Sequence, residues 1–197
     1  MRAAFLCLWL LVPAVVAAYH YGPGQADLLR DDAAAHLRRA ETLVAEEQWP
    51  QACEAYDAAL ALIPTDNVEA TRRVRLQRAK AQMLAAKLPE AFDELVVLSE
   101  ELERDDEAPT DLIAETRDAT ANAQYYMTWL MRLEGRPRDD WEPLIEGARQ
   151  NYRLLCEDAE ARSDADSAAG HREDLEAAIR LARMDLGDLQ ALPLPNQ

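Results

Sequence analysis

The chain offers few residues suited to catalysis or to binding a metal. Its three histidines, His20, His36 and His171, are far apart, and no His-x-x-x-His or Glu-x-x-His pattern occurs. There is also no cysteine pair at metal-binding spacing, no glycine-rich phosphate loop and no Gly-x-Ser-x-Gly motif. Cys156 and His171 could act as nucleophile and base, but the regular helical pattern predicts no strained loop to present them. The sequence therefore predicts a protein that is not an enzyme and uses no metal or cofactor.

A cluster of positive charge is the first candidate binding surface. The segment from Arg72 to Lys87 carries six basic residues and no acidic residue, although the whole chain has a net charge of −16. A basic groove would bind an acidic peptide segment or a C-terminal carboxylate through charge-assisted hydrogen bonds. The alternative is that these side chains pair with glutamates of neighbouring helices. The partner-binding residues predicted for this groove are Arg38, Arg73, Gln77 and Lys80.

A run of large side chains at residues 125–131 is the second candidate surface. It contains Tyr126 and Trp129, with Trp141 and Tyr152 further along the chain. Too many large residues follow one another for all of them to face a single helix stripe, so some are expected to contact a partner or a second copy of the chain. The alternative is packing against the C-terminal helix. Tyr126 and Trp129 complete the set of predicted partner-binding residues.

The apolar pattern predicts an all-α protein, because apolar residues recur at helical spacing and breakers are few. A polar loop is expected at 163–170, and the last helix is expected to cap the preceding pair. Gly135 is expected to end a helix, with Pro137 as a stop. The predicted helices cover residues 31–46, 50–63, 67–84, 89–102, 110–133, 139–155 and 173–189.

A set of residue spacings recurs in the chain and indicates antiparallel helix pairs. Gaps of 12, 7 and 5 residues occur twice, and a small residue facing another allows two helices to approach closely. Such pairs stack because none can bury its apolar face alone. The first set is Ala40, Ala52, Ala59 and Pro64, and the second is Ala79, Ala91, Leu98 and Glu103.

The first of these units resembles the tetratricopeptide repeat family. Ala40, Ala52, Tyr56, Ala59 and Pro64 occupy the small, small, aromatic, small and proline positions of that repeat. His36 and Arg39 depart from the family pattern, and the second unit is longer and matches less well.

The resemblance implies a solenoid of about three helix pairs plus a C-terminal capping helix, with a concave groove lined by the first helix of each pair. The carboxylate clamp of some members requires Lys and Asn, whereas Leu37 and Glu41 stand at the equivalent positions.

The N-terminus carries an uncharged run, Ala3 to Ala18, behind a single arginine. Residues 1–19 are therefore expected to form an N-terminal hydrophobic helix that is either a cleaved signal peptide or a membrane anchor, and the length fits both. Residues 20–30 are expected to be a linker, 31–189 the helical domain and 190–197 a flexible tail. The charge distribution places the domain on the exported side of the membrane, in the cell envelope.

The acidic composition argues against binding to nucleic acid or to anionic lipid, since both would be repelled. Cys53 and Cys156 are expected to be buried thiols, although an exported protein could oxidise them. Two functions remain open at this point. The first is a non-catalytic scaffold or adaptor that binds a partner peptide or helix in its groove, and the alternative is an assembly component that self-associates through the helical stack.

Overall fold

The structure, a computed structural model, describes the backbone of residues 23–191 and the side chains of residues 29–189. Every regular element in the described range is a helix. The predicted signal or anchor segment, 1–19, lies outside the described residues, as does residue 192 onward of the predicted tail. The helices are α1 (Pro23–Ala45), α2 (Trp49–Leu60), α3 (Val68–Leu84), α4 (Leu88–Glu103), α5 (Thr110–Leu133), α6 (Arg138–Ala161), α7 (Ala165–Arg183) and α8 (Leu186–Ala191).

The predicted all-α class is confirmed, and several helix ends lie where the sequence placed them. Helix α3 begins after Asn67, whose side chain accepts a hydrogen bond from the Ala70 amide at 3.3 Å. Helix α5 spans the predicted range. Helix α1 begins at Pro23, within the segment expected to be a linker, rather than at Asp31 or Asp32.

The prediction of a loop at 163–170 is wrong, because α7 already begins at Ala165. The Asp164 side chain caps this helix by accepting a hydrogen bond from the Ser167 amide at 3.1 Å. Alanines, which have the highest helix propensity, then fill the first turns, and Ala168 is buried. Gly170 is tolerated there, and the space that a Cβ would occupy at this position is open.

Four of the turns between helices contain one residue in the left-handed region. These residues are Glu47, Ala86, Gly135 and Ser163, with φ between 57° and 71°. After α5 the amides of Gly135 and Arg136 donate to carbonyls of the last helical turn, which is the expected glycine C-cap. The other three turns adopt the same conformation without glycine, which costs backbone strain.

The region predicted as one helical domain, 31–189, divides into two compact units, the first ending at Thr71 and the second beginning at Arg72. In the first unit α1 packs against α2. Ala40, Ala52 and Ala59, the small residues of the first repeat, are fully buried, and so is most of Tyr56. Burial of the Tyr56 ring raises the pKa of its hydroxyl, and Glu41 and Cys53 add to the shift.

The second unit is organised around α5, which packs against both α4 and α6. One side of α5 joins α3 and α4 in a core of leucines and alanines that includes Ala79 and Leu98. The other side joins α6, α7 and α8 in a core that includes Trp141 and Ile145. Ala79, Ala91 and Leu98, the first three residues of the second repeat, are fully buried.

Candidate functional site

The predicted basic surface on α3 is matched by acidic side chains of the next two helices. Arg73 donates to Asp111 at 2.8 Å, and Lys80 and Gln77 donate to the same oxygen of Glu115 at 2.6 and 2.9 Å. The hydrogen bond from Arg73 lowers the pKa of Asp111. For Glu115, burial raises the pKa, but hydrogen bonds from Lys80 and Gln77 lower it more, so its pKa lies below the usual range.

The remaining arginines of α3 pair in the same way with α4 and the turn after it. Arg75 bridges two helical turns of α4, with Nε 2.5 Å from one glutamate and Nη1 2.7 Å from another. Arg78 lies 3.3 Å from Glu94, and Arg72 lies 2.5 Å from Asp105. These contacts are those of the alternative interpretation, in which the basic side chains pair with neighbouring helices. The carboxylates involved are Glu94, Glu101 and Asp105.

Arg38, the predicted site residue of the first unit, lies exposed on α1. The aromatic residues predicted to contact a partner are instead largely enclosed within the second unit. Trp129 is only 5% exposed, and Tyr126 is half-buried between the two cores, with its ring edge-on to Tyr125 at 5.5 Å. Leu130 is the most exposed member of this run, at 36%.

A groove that the sequence did not indicate lies on α4, α5 and α6. Its volume is about 210 Å³, and it is open to solvent. The helix pairs themselves create it, since side chains of three successive helices converge there. Among the residues that line it are Val96, Ser99, Leu102, Ile113, Gln124 and Asn151.

The lining of this groove combines an apolar wall and neutral amides and hydroxyls with three charged side chains, those of Glu100, Glu103 and Arg117. Asn151 Nδ2 donates to Gln124 Oε1 at 3.1 Å, and the hydroxyls of Ser99 and Thr120 lie 3.1 Å apart. The buried Thr116 hydroxyl has no hydrogen-bond partner. The neutral groups of this surface can both donate and accept hydrogen bonds.

The absence of a side chain at Gly147 lets the Gln124 amide lie against α6. A Cβ at Gly147 would lie 2.5 Å from Gln124 Nε2, closer than real side chains approach. Gly147 sits inside α6, where glycine is otherwise unfavourable. The sequence signals of the groove are one glycine and two amides on otherwise amphipathic helices. None of them shows by itself that these residues meet.

None of the helices between residues 23 and 191 has the length and apolar character that a bilayer crossing requires. In comparisons with known proteins, no protein-family model, no curated protein and no solved structure matches the chain.

Proposed function

We propose that this chain is a non-catalytic, tetratricopeptide-like helical-repeat protein that binds a segment of a partner protein in the groove on α4, α5 and α6. The observation that carries the proposal is the groove itself, an open channel with an apolar wall, neutral hydrogen-bonding groups and three charged side chains in its lining. Full burial of the five alanines and of Leu98 at the repeated 12 and 7 spacing supports the helix-pair architecture. The location on the exported side of a membrane rests on residues 1–19 and remains a prediction.

The size of the groove favours a peptide over a cofactor. Sites for small molecules and cofactors enclose about 300–1,000 Å³, whereas this groove offers about 210 Å³ and is open on one side. That space suits one or two anchoring side chains of a longer chain. The amides of Gln124 and Asn151 are suited to the backbone N–H and C=O groups of an extended segment, because each amide can donate and accept.

The contacts of α3 make an acidic ligand less favoured than the sequence suggested. Arg73 and Lys80 already contact Asp111 and Glu115, so an acidic peptide would have to displace a carboxylate to reach them. An apolar anchor in the groove requires no such exchange. The alternative function is self-association through residues 125–131. The burial of Trp129 does not favour it.

Two adjacent valines of α4 provide a matched test. Val96 lines the groove, whereas Val97 is 50% exposed and is not among the groove residues. Short random peptides displayed on phage are selected against the full chain, and the affinity of a selected peptide is measured by fluorescence anisotropy. We expect Val96→Arg to weaken binding by about tenfold or more, because it fills the anchor space, and Val97→Arg to leave it unchanged.

A second pair of variants tests the amides. Asn151→Ala is expected to lower the affinity for the same peptide, while Gln150→Ala on the exposed side of α6 is expected to leave that affinity unchanged. The proposal is wrong if no peptide is selected, or if peptides are selected whose affinity is the same for the wild type and for the groove variants.

A further inference from the structure

Three side chains with metal-binding atoms meet between α5 and α7, on residues separate from the groove. His171 Nδ1 lies 3.9 Å from Asp118 Oδ1 and 4.0 Å from Asp174 Oδ2. All three potential ligand atoms lie within 4.8 Å of one another. His171 and Asp174 share a face because they are three residues apart on α7, and Asp118 lies opposite on α5.

The imidazole nitrogen that faces the carboxylates has no hydrogen-bond partner among the described residues. His171 Nδ1 is buried, and its distances to the two carboxylate oxygens are too long for hydrogen bonds. A buried polar atom without a partner is rare in folded proteins, and a bound ion is one explanation for it.

The two carboxylates lack a close permanent cation. Within residues 29–189, the basic group within ion-pair distance of Asp118 and of Asp174 is His171. Burial raises the pKa of both aspartates, and Asp118 raises that of Asp174 further, while His171 opposes the shift in each. Lys80 also acts on Asp118, but its ammonium is bonded to Glu115. A cation placed between the three side chains would relieve this repulsion.

We propose that Asp118, His171 and Asp174 form a binding site for a divalent transition-metal ion, best matched by Zn²⁺, that links α7 to α5. Imidazole nitrogen with carboxylate oxygen is a ligand set suited to zinc and its neighbours, whereas Mg²⁺ and Ca²⁺ favour oxygen ligands alone. Ligands at about 2.0–2.2 Å from zinc lie about 3.0–3.6 Å from one another. Small rotations of the aspartate side chains close the present separations to that range, and water completes the coordination.

The experiment uses the tag-free full chain, stripped with a chelator and titrated with ZnCl₂ in a calorimeter. We expect one zinc ion per chain with a dissociation constant in the micromolar range or below. His171→Ala, Asp118→Asn and Asp174→Asn are each expected to weaken binding by about a hundredfold. Two controls are expected to bind normally, namely His36→Ala in the first unit and Asp166→Asn on the exposed side of α7.

A second readout reports on the site itself. The ring ¹⁵N resonances of His171 should shift on addition of zinc while those of His36 do not. Cys156→Ser should retain zinc binding, which separates this site from thiol ligation elsewhere. The proposal is overturned if zinc does not bind, if His171→Ala binds it as well as the wild type does, or if Mg²⁺ displaces zinc at equal concentration. Peptide binding in the groove is measured independently, so either proposal can fail alone.

Discussion

Arg132 is the best place to test how the C-terminal helices are held, because it is an almost buried charge with two defined partners. It is 9% exposed at the end of α5, and its two Nη atoms donate to the carbonyl oxygens of Leu181 and Met184 at the end of α7. Its guanidinium also lies 4.7 Å from the centre of the Trp141 ring. Burial lowers the pKa of Arg132, and Asp185 opposes that shift.

We expect Arg132→Met to lower the free energy of unfolding of the second unit by about 2–4 kcal/mol. Each hydrogen bond from a charged donor contributes about 1.5–3 kcal/mol, and the cation–π contact about 0.5–2 kcal/mol. The net loss is smaller than their sum, because the substitution also removes the cost of burying a guanidinium. Methionine keeps the apolar stem, so the change reports on the polar contacts rather than on a cavity.

The measurement is urea unfolding of the full chain carrying Trp49→Phe, followed by tryptophan fluorescence, since Trp49 lies in the first unit whereas Trp129 and Trp141 lie in the second. The matched control is Arg138→Met, because Arg138 lies 5.9 Å from the centre of the same Trp141 ring but is exposed and bonded to Glu142. We expect that control to unfold as the wild type does. Arg132→Lys should be intermediate, since one ammonium cannot reproduce the planar fork.

The reasoning about Arg132 is refuted if Arg132→Met changes the unfolding free energy by less than about 0.5 kcal/mol, the range of ordinary surface substitutions. It is also refuted if Arg132→Met and Arg138→Met lower the free energy of unfolding by the same amount. A changed dependence on urea concentration would show instead that the substitution altered the compactness of one of the two states.

Two further predictions concern a turn and a carboxylate. Ala86→Gly should raise the unfolding free energy by about 0.5–1 kcal/mol, since Ala86 has φ 59°, whereas Ala85→Gly should lower it; thermal melting compares the two. Asp118→Asn should stabilise the metal-free protein at neutral pH, because the pKa of Asp118 is raised in the folded state, mainly by burial. The gain in unfolding free energy should disappear as the pH falls below the ordinary aspartate pKa of about 3.9. Equal stability of the wild type and Asp118→Asn in urea titrations at neutral pH would contradict this prediction.

Much of the fold could be predicted because helix ends depend on local chemistry. Asn67 caps α3 and Gly135 ends α5, as their residue types indicate. The start of α7 differs from the prediction because the small, polar composition of 163–170 is typical of a loop, whereas Asp164 caps a helix there and its alanines favour helix. That error also hid the metal-binding candidate, since His171 and Asp174 share a face only if the helix is continuous there.

The types of the predicted site residues are visible in the sequence, but the side chains that contact them are not. Arg73 and Lys80 were identified as basic side chains on one helix, and the structure brings Asp111 and Glu115 of α5 against them. Trp129 belongs to a run of large side chains that cannot all lie on one apolar face of a helix. Helix α5 has buried residues on two sides, which is why this tryptophan can be enclosed.

The helical class, most helix ends and the buried residues at the 12 and 7 spacing follow from the amino-acid sequence, because these features depend on hydrogen bonds within one or two turns and on helical periodicity. The tertiary structure alone decided which polar side chains meet. The ion pairs of α3, the groove beside Asn151 and the cluster around His171 all join residues of different helices. Their distances depend on how the helices pack, and no local pattern in the chain encodes them.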